Sequence, residues 1–132
     1  MLHILYVEDD PSSRHVVRMV QRMNPDVFTL TLFEDSRDFM QRLSALDPQP
    51  NLILLDIHVD PYSGFDMLAM IRREQKYNDL PVVAFTASVM NEEIALLQTS
   101  GFQGVVSKPL NLEEFPRIIQ RIMDGEQVWY VW

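Results

Sequence analysis

Short apolar runs alternate along this chain with segments of helical periodicity, and that alternation limits the fold more than any other feature. Ile4 to Val7, Leu52 to Leu55 and Val82 to Phe85 are apolar throughout, and Val105-Val106 is a shorter run of the same kind. A continuous apolar run of this length suits a strand buried on both faces. Val27 to Phe33 alternates β-branched or aromatic residues with others, which is also a strand signal. Between these runs lie helical patterns. Asp10-Pro11 supplies an N-cap and a proline at the first helical position, with Val16, Val20 and Met23 on one face, Val17 beside them, and Asn24-Pro25-Asp26 as the stop. A second helix, capped by Asp35 or Ser36, buries Phe39, Leu43 and Leu46 and ends before Pro48 and Pro50. After a loop with Pro61 and Gly64, a third carries Phe65, Leu68 and Ile71. A fourth, over 91–99, buries Ile94 and Leu97. The last, over 112–123, carries Phe115, Ile118, Ile119 and Ile122, with Gly125 as its C-cap. Five strands and five helices in strict alternation predict an α/β fold, a doubly wound five-stranded parallel sheet with helices on both faces.

Composition narrows the function. At 132 residues the chain is long enough to bury a core without staples, and with no cysteine it has neither disulfides nor thiolate metal sites. Together with the lack of a signal-like start at Met1, this implies a cytoplasmic protein. No apolar stretch approaches the roughly eighteen residues of a membrane span, so no membrane partner is expected. Eleven basic residues stand against 19 acidic ones, a net charge of −8, which opposes direct nucleic-acid binding.

Ligands of doubly wound sheets sit outside the carboxyl ends of the strands. The residues there are Glu8, Asp9 and Asp10 after the first strand, Asp56 after the third, Thr86 after the fourth and Lys108 after the fifth. Clustered carboxylates make an oxygen-rich site for a hard cation such as Mg²⁺. A lysine and a hydroxyl opposite them suit phosphoryl oxygens, and phosphoryl transfer needs mainly positioning and charge neutralisation. A carboxylate can itself be the nucleophile, forming an aspartyl phosphate.

With these residues in place, the chain resembles the receiver domain of two-component response regulators, the CheY-like superfamily, flavodoxin-like in fold. The matching stretches are Ile4-Leu5-Tyr6-Val7-Glu8-Asp9-Asp10, Leu52-Ile53-Leu54-Leu55-Asp56-Ile57, Phe85-Thr86-Ala87 and Ser107-Lys108-Pro109-Leu110. Gly64, Thr86 and Lys108 follow Asp56 by 8, 30 and 52 residues. The resemblance implies Asp56 as phosphoacceptor and metal ligand, and Glu8 (through water), Asp9 and the backbone carbonyl of His58 as further ligands to Mg²⁺ or Mn²⁺. It implies Thr86 and the Ala87 amide on the phosphoryl oxygens, Lys108 paired with the phosphoryl group, and a cis bond at Pro109. It further implies a sensor histidine kinase or histidine phosphotransfer protein as donor. Output would pass through the surface of the fourth helix, fifth strand and fifth helix to a downstream protein. Such a module catalyses its own phosphorylation and dephosphorylation and is not a turnover enzyme; here it is expected to lack an output domain of its own.

The chain departs from the family pattern at three places. Val59 and Asp60 stand where the family usually has Met-Pro, the proline being displaced to Pro61. Val105 stands where a switching tyrosine or phenylalanine is usual, and valine has no ring to swing. His58 and Ser88 occupy positions whose side chains tune hydrolysis of the phosphoryl group in this family. Beyond a receiver domain over 1–125, the tail 126–132 holds Trp129, Tyr130 and Trp132. It reads as a flap or short strand against the domain, a homodimer contact or the start of a linker. The competing functions are a non-phosphorylated pseudo-receiver that serves only as an interaction module and a haloacid dehalogenase-type phosphatase. The first should lack one of Glu8, Asp9, Asp56 and Lys108; the second wants an aspartate where His58 stands.

Overall fold

A computed structural model describes residues 1–87 and 90–130. The sequence-predicted tuning residue Ser88 lies outside them, as do Val131 and Trp132 of the tail. The elements are β1 (Leu2–Val7), α1 (Pro11–Met23), β2 (Phe28–Phe33), α2 (Phe39–Ser44), β3 (Leu52–Leu55) and α3 (Gly64–Arg73). A 3₁₀ turn at Gln75–Tyr77 precedes β4 (Val82–Thr86), α4 (Asn91–Ser100), β5 (Gly104–Ser107), α5 (Phe115–Met123) and β6 (Val128–Tyr130). All strand pairs are parallel, in the order β2-β1-β3-β4-β5-β6. The order reverses between β1 and β3, which is where a doubly wound sheet opens a crevice.

Period-two alternation along the strands divides the core into two layers. Ile4, Tyr6, Leu54, Phe85 and Val106 pack with Val17 and Val20 of α1 and Phe115, Ile118, Ile119 and Ile122 of α5. Leu5, Val7, Ile53, Leu55, Ala84 and Val105 pack with Phe39 and Leu43 of α2, Met67, Leu68 and Ile71 of α3, and Leu97 of α4. Both faces are therefore covered, and the central strands are apolar throughout for that reason.

Six strands form where the alternation predicts five. The extra one, β6, pairs with the outer edge of β5, with Gly104 opposite Val128, Val105 opposite Trp129 and Val106 opposite Tyr130. A Cβ at Gly104 would meet the Val128 carbonyl oxygen at 2.2 Å, so the absence of a side chain is what admits the strand.

Several predicted boundaries and faces are corrected. Neither Asp35 nor Ser36 caps α2. The Asp35 carboxylate takes donors from Arg37 and Arg42, and the Ser36 hydroxyl bridges to the Tyr62 backbone, so the helix begins later, after Asp38. Leu46 lies past its end, packed against the core from outside the helix. In α5 the Asn111 side chain accepts from the amides of Glu113 and Glu114, which holds that stretch as turns and delays the helix to Phe115. Met23 is 66% exposed, so α1 presents Val17 and Val20 to the core rather than the Val16–Val20–Met23 stripe. Val27 is exposed ahead of β2.

Candidate functional site

Glu8, Asp9 and Asp56 come together at the reversal point, each just past the end of β1 or β3. One oxygen from each carboxylate lies within 4.8 Å of the others. Asp56 is held there by its amide, which donates to the Val7 carbonyl at 3.1 Å, and its Oδ1 faces the His58 amide at 3.3 Å. Glu8 is fully buried and Asp9 is exposed at the rim.

Lys108 enters from β5. Its Nζ stands 3.4 Å from Asp56 Oδ2 and makes a close ion pair with Glu8 Oε1. The Lys108 amide donates to the Thr86 carbonyl at 3.0 Å, which ties the ends of β5 and β4 together. Thr86 is buried at the end of β4 beside Ser107, and the Lys108-Pro109 peptide is cis. Ala87, Lys108 and Pro109 line one side of a cleft of about 320 Å³ against Ser12, Ser13 and Val16 of α1. His58 and Thr86 border a separate pocket on the α3–α4 side.

Two residues hold this arrangement without having stood out in the sequence as site residues. The Tyr6 hydroxyl donates to Glu8 Oε1 at 2.7 Å. Tyr6 and Glu8 are two residues apart, so they share a strand face, and that spacing is the signal that could have linked them. Burial, with the adjacent Glu8 charge, pushes the Tyr6 phenol far above its ordinary range, so it keeps the proton that it donates to Glu8. Arg14 of α1 donates to the Glu8 carbonyl oxygen at 3.0 Å. Asp10 does not join the carboxylate cluster. Its side chain caps α1 through Ser13, whose hydroxyl and amide hold the carboxyl below its ordinary value.

Burial raises the Glu8 pKa, and the adjacent Asp56 raises it further, while Lys108 and Tyr6 oppose the rise. Burial and a neighbouring acid both work against the charged form, and a bound cation would offset that cost. The donor set is all oxygen, with no imidazole or thiolate in the group of three, and suits Mg²⁺ rather than zinc or copper.

The loop after Asp56 is tied to the domain on both sides of Val59 and Asp60. Val59 is buried in the core, the Ser36 amide donates to the Asp60 carbonyl, and the Gly64 amide donates to the Ile57 carbonyl. Gly64 packs so closely that a Cβ there would stand 2.8 Å from the Asp56 carbonyl oxygen. Ser63 and Asp66 then close a capping box that starts α3. Val105, in place of an aromatic, is fully buried between Ala84 and Trp129 in the sheet.

A five-fold βα alternation with acidic groups, a hydroxyl and a lysine gathered at the carboxyl edge defines a flavodoxin-like signalling module. The sequence profile of the response regulator receiver domain matches residues 4–120, and the chain belongs to that family. It is 30% identical over 123 residues to the two-component response regulator ORR12 of Oryza sativa, covering 91% of this chain and 97% of that one. It is 32% identical over 125 residues to the sensor histidine kinase AruS of Pseudomonas aeruginosa, covering 92% of this chain and 12% of the kinase. Among solved structures, the receiver domain of the Pseudomonas aeruginosa sensor kinase PA1611, with magnesium in its active-site cleft, superposes with a TM-score of 0.80. That likeness has 24% identity and covers 93% of this chain and 98% of the other. As a receiver domain of two-component signal transduction, the chain is a signalling module and not a turnover enzyme. Among the described residues, no helix is long and apolar enough to cross a membrane.

Proposed function

We propose that this receiver accepts a phosphoryl group from a phosphohistidine onto Asp56, in a Mg²⁺- or Mn²⁺-dependent reaction, and signals by protein–protein contact. The observation that carries this reading is the placing of Asp56 Oδ2 3.4 Å from Lys108 Nζ within a set of three converging carboxylates. The donor would be a histidine kinase or a histidine phosphotransfer protein.

An Asp56 carboxylate oxygen attacks phosphorus, an O–P bond forms, and the P–N bond to the donor imidazole breaks. The imidazole leaves and takes up a proton. Lys108, which pairs with Glu8 and approaches Asp56 in this structure, is near enough to turn toward a phosphoryl oxygen. The Thr86 hydroxyl and the Ala87 amide, at the adjoining strand end, serve the remaining oxygens. Glu8, Asp9, Asp56 and the His58 carbonyl would hold the cation, which when bound neutralises the charge that builds on the transferring group. With Val105 in place of an aromatic, the change in state is transmitted without a swinging ring, and His58 and Ser88 tune hydrolysis.

The test is intact-mass spectrometry after treatment with acetyl phosphate and Mg²⁺. The expected result is a gain of one phosphoryl mass, lost on adding EDTA beforehand and absent in Asp56→Asn. No gain in the wild-type chain, or an equal gain in Asp56→Asn, would sink the reading and leave an interaction module without phosphotransfer.

A further inference from the structure

A pocket of about 220 Å³ opens between α3 and α4. Ile57, Phe65, Leu96 and Leu97 supply its apolar wall, and His58, Thr86 and Glu93 complete the lining. Glu93 Oε2 is shut off from solvent and, among the described residues, has no hydrogen-bond donor. Nor does any ion pair among the described residues involve Glu93. Leaving such an oxygen unpaired is costly, and the cost ends when a donor enters.

Glu93 lies in the first turn of α4, beside Glu92. The complementary partner of a carboxylate is a cation with donors to offer, which pairs more strongly than a neutral donor. The mouth of the pocket is apolar. Leu96, on its wall, is 54% exposed. The site thus combines a half-buried carboxylate, one oxygen of which is shut off from solvent, with an apolar wall, on a protein of net charge −8.

We infer that this pocket receives the side chain of an arginine presented by a partner protein. Arginine suits both halves of the pocket. Its methylene stem can lie on Leu96 and Phe65 while its guanidinium reaches the carboxylate. The guanidinium is more weakly hydrated than an ammonium and offers a planar fork of donors that a carboxylate accepts in pairs. The ring of Phe65 adds a favourable face for a cation. An aliphatic or aromatic side chain would fill the volume but leave Glu93 Oε2 unpaired, and an anion would be repelled by it. A hard cation would want more oxygens than the apolar wall supplies. The site lies between α3 and α4 and borders the phosphoryl site through His58 and Thr86, while Lys108 and the three clustered carboxylates do not line it.

The experiment is an amide-resolved NMR titration of the full chain with N-acetyl-L-arginine methylamide, with the norleucine analogue as the uncharged control. The arginine probe should shift the amides of Phe65, Glu93, Leu96 and Leu97 in a saturable way. It should bind at least about tenfold more tightly than the norleucine probe. Glu93→Gln should reduce that affinity about tenfold, and Leu96→Ser, at an exposed position, should weaken it without removing the charge. Asp56→Asn should bind the probe as the wild type does, which separates this pocket from the phosphoacceptor reading. Absent shifts, shifts spread over the acidic surface, affinity unchanged in Glu93→Gln, or loss of binding in Asp56→Asn would each overturn the inference.

Discussion

The Tyr6 hydroxyl and Lys108 Nζ meet on the same atom, Glu8 Oε1, so the buried carboxylate of the acidic cluster is supported from β1 itself and from β5. Removing the phenol oxygen leaves that carboxylate one donor short. Tyr6→Phe should lower stability by about 1–3 kcal/mol, the cost of a lost bond to a buried charged group. Urea unfolding of the two proteins at neutral pH checks this. An unchanged midpoint would mean that Glu8 does not depend on the phenol.

Repulsion between Glu8 and Asp56 is relieved by removing either charge or by binding a cation. In metal-free buffer, Asp56→Asn should melt higher than the wild type. Mg²⁺ should stabilise the wild type by about 2.7 kcal/mol at one hundred times its dissociation constant, since only the native state assembles the site. Asp56→Asn should respond much less. Calorimetry with and without metal reads all three quantities, and a lower melting temperature for the metal-free variant would contradict the crowding.

Gly104→Ala should detach β6 and leave the rest of the sheet intact. A methyl group there would stand 2.2 Å from the Val128 oxygen, and no flexible side chain is available to give way. The two tryptophans of the chain are Trp129 and Trp132, so selectively excited tryptophan fluorescence reports on the tail alone. The expected result is a red-shifted emission with far-ultraviolet dichroism nearly unchanged. An unshifted emission would show that the strand tolerates the methyl.

Asp35 gives a pH dependence with a definite sign. Hydrogen bonds from the Arg37 side chain and amide hold its carboxyl below the ordinary 3.8, with the charges of Arg37 and Arg42 adding to the effect. A carboxyl whose folded value is depressed contributes stability above its unfolded value and loses it as pH falls through the folded one. Asp35→Asn keeps the side-chain shape and removes the charge. Its melting temperature should lie below the wild type at about pH 6 and converge with it as the pH falls through the depressed folded value. A gap that persists in acid would assign the effect to geometry rather than charge.

Much of the fold and of the site can be read from residue order alone. The apolar runs at Leu5, Ile53 and Val83 announce buried strands because every side chain on them must avoid water, whichever face it takes. Glu8, Asp56, Thr86 and Lys108 each follow such a run, and a parallel sheet carries all strand ends to one edge, so their proximity follows from topology. The boundaries of α2 and α5 were not legible in this way. They depend on whether Asp35, Ser36 and Asn111 spend their oxygens on a helix end or on a distant backbone, and side-chain hydrogen bonding to non-local groups leaves no periodic trace.

What the sequence settled by itself was the succession of elements and the chemical identity of the groups at the sheet's carboxyl edge, because local periodicity and chain order carry both. Tertiary structure alone decided that Lys108 leans on Glu8, that Tyr6 supports that acid, and that Val128–Tyr130 becomes a sixth strand. A three-residue strand has no stability or register of its own. It exists because β5 offers an unpaired edge and a glycine, and no pattern within the tail could announce either.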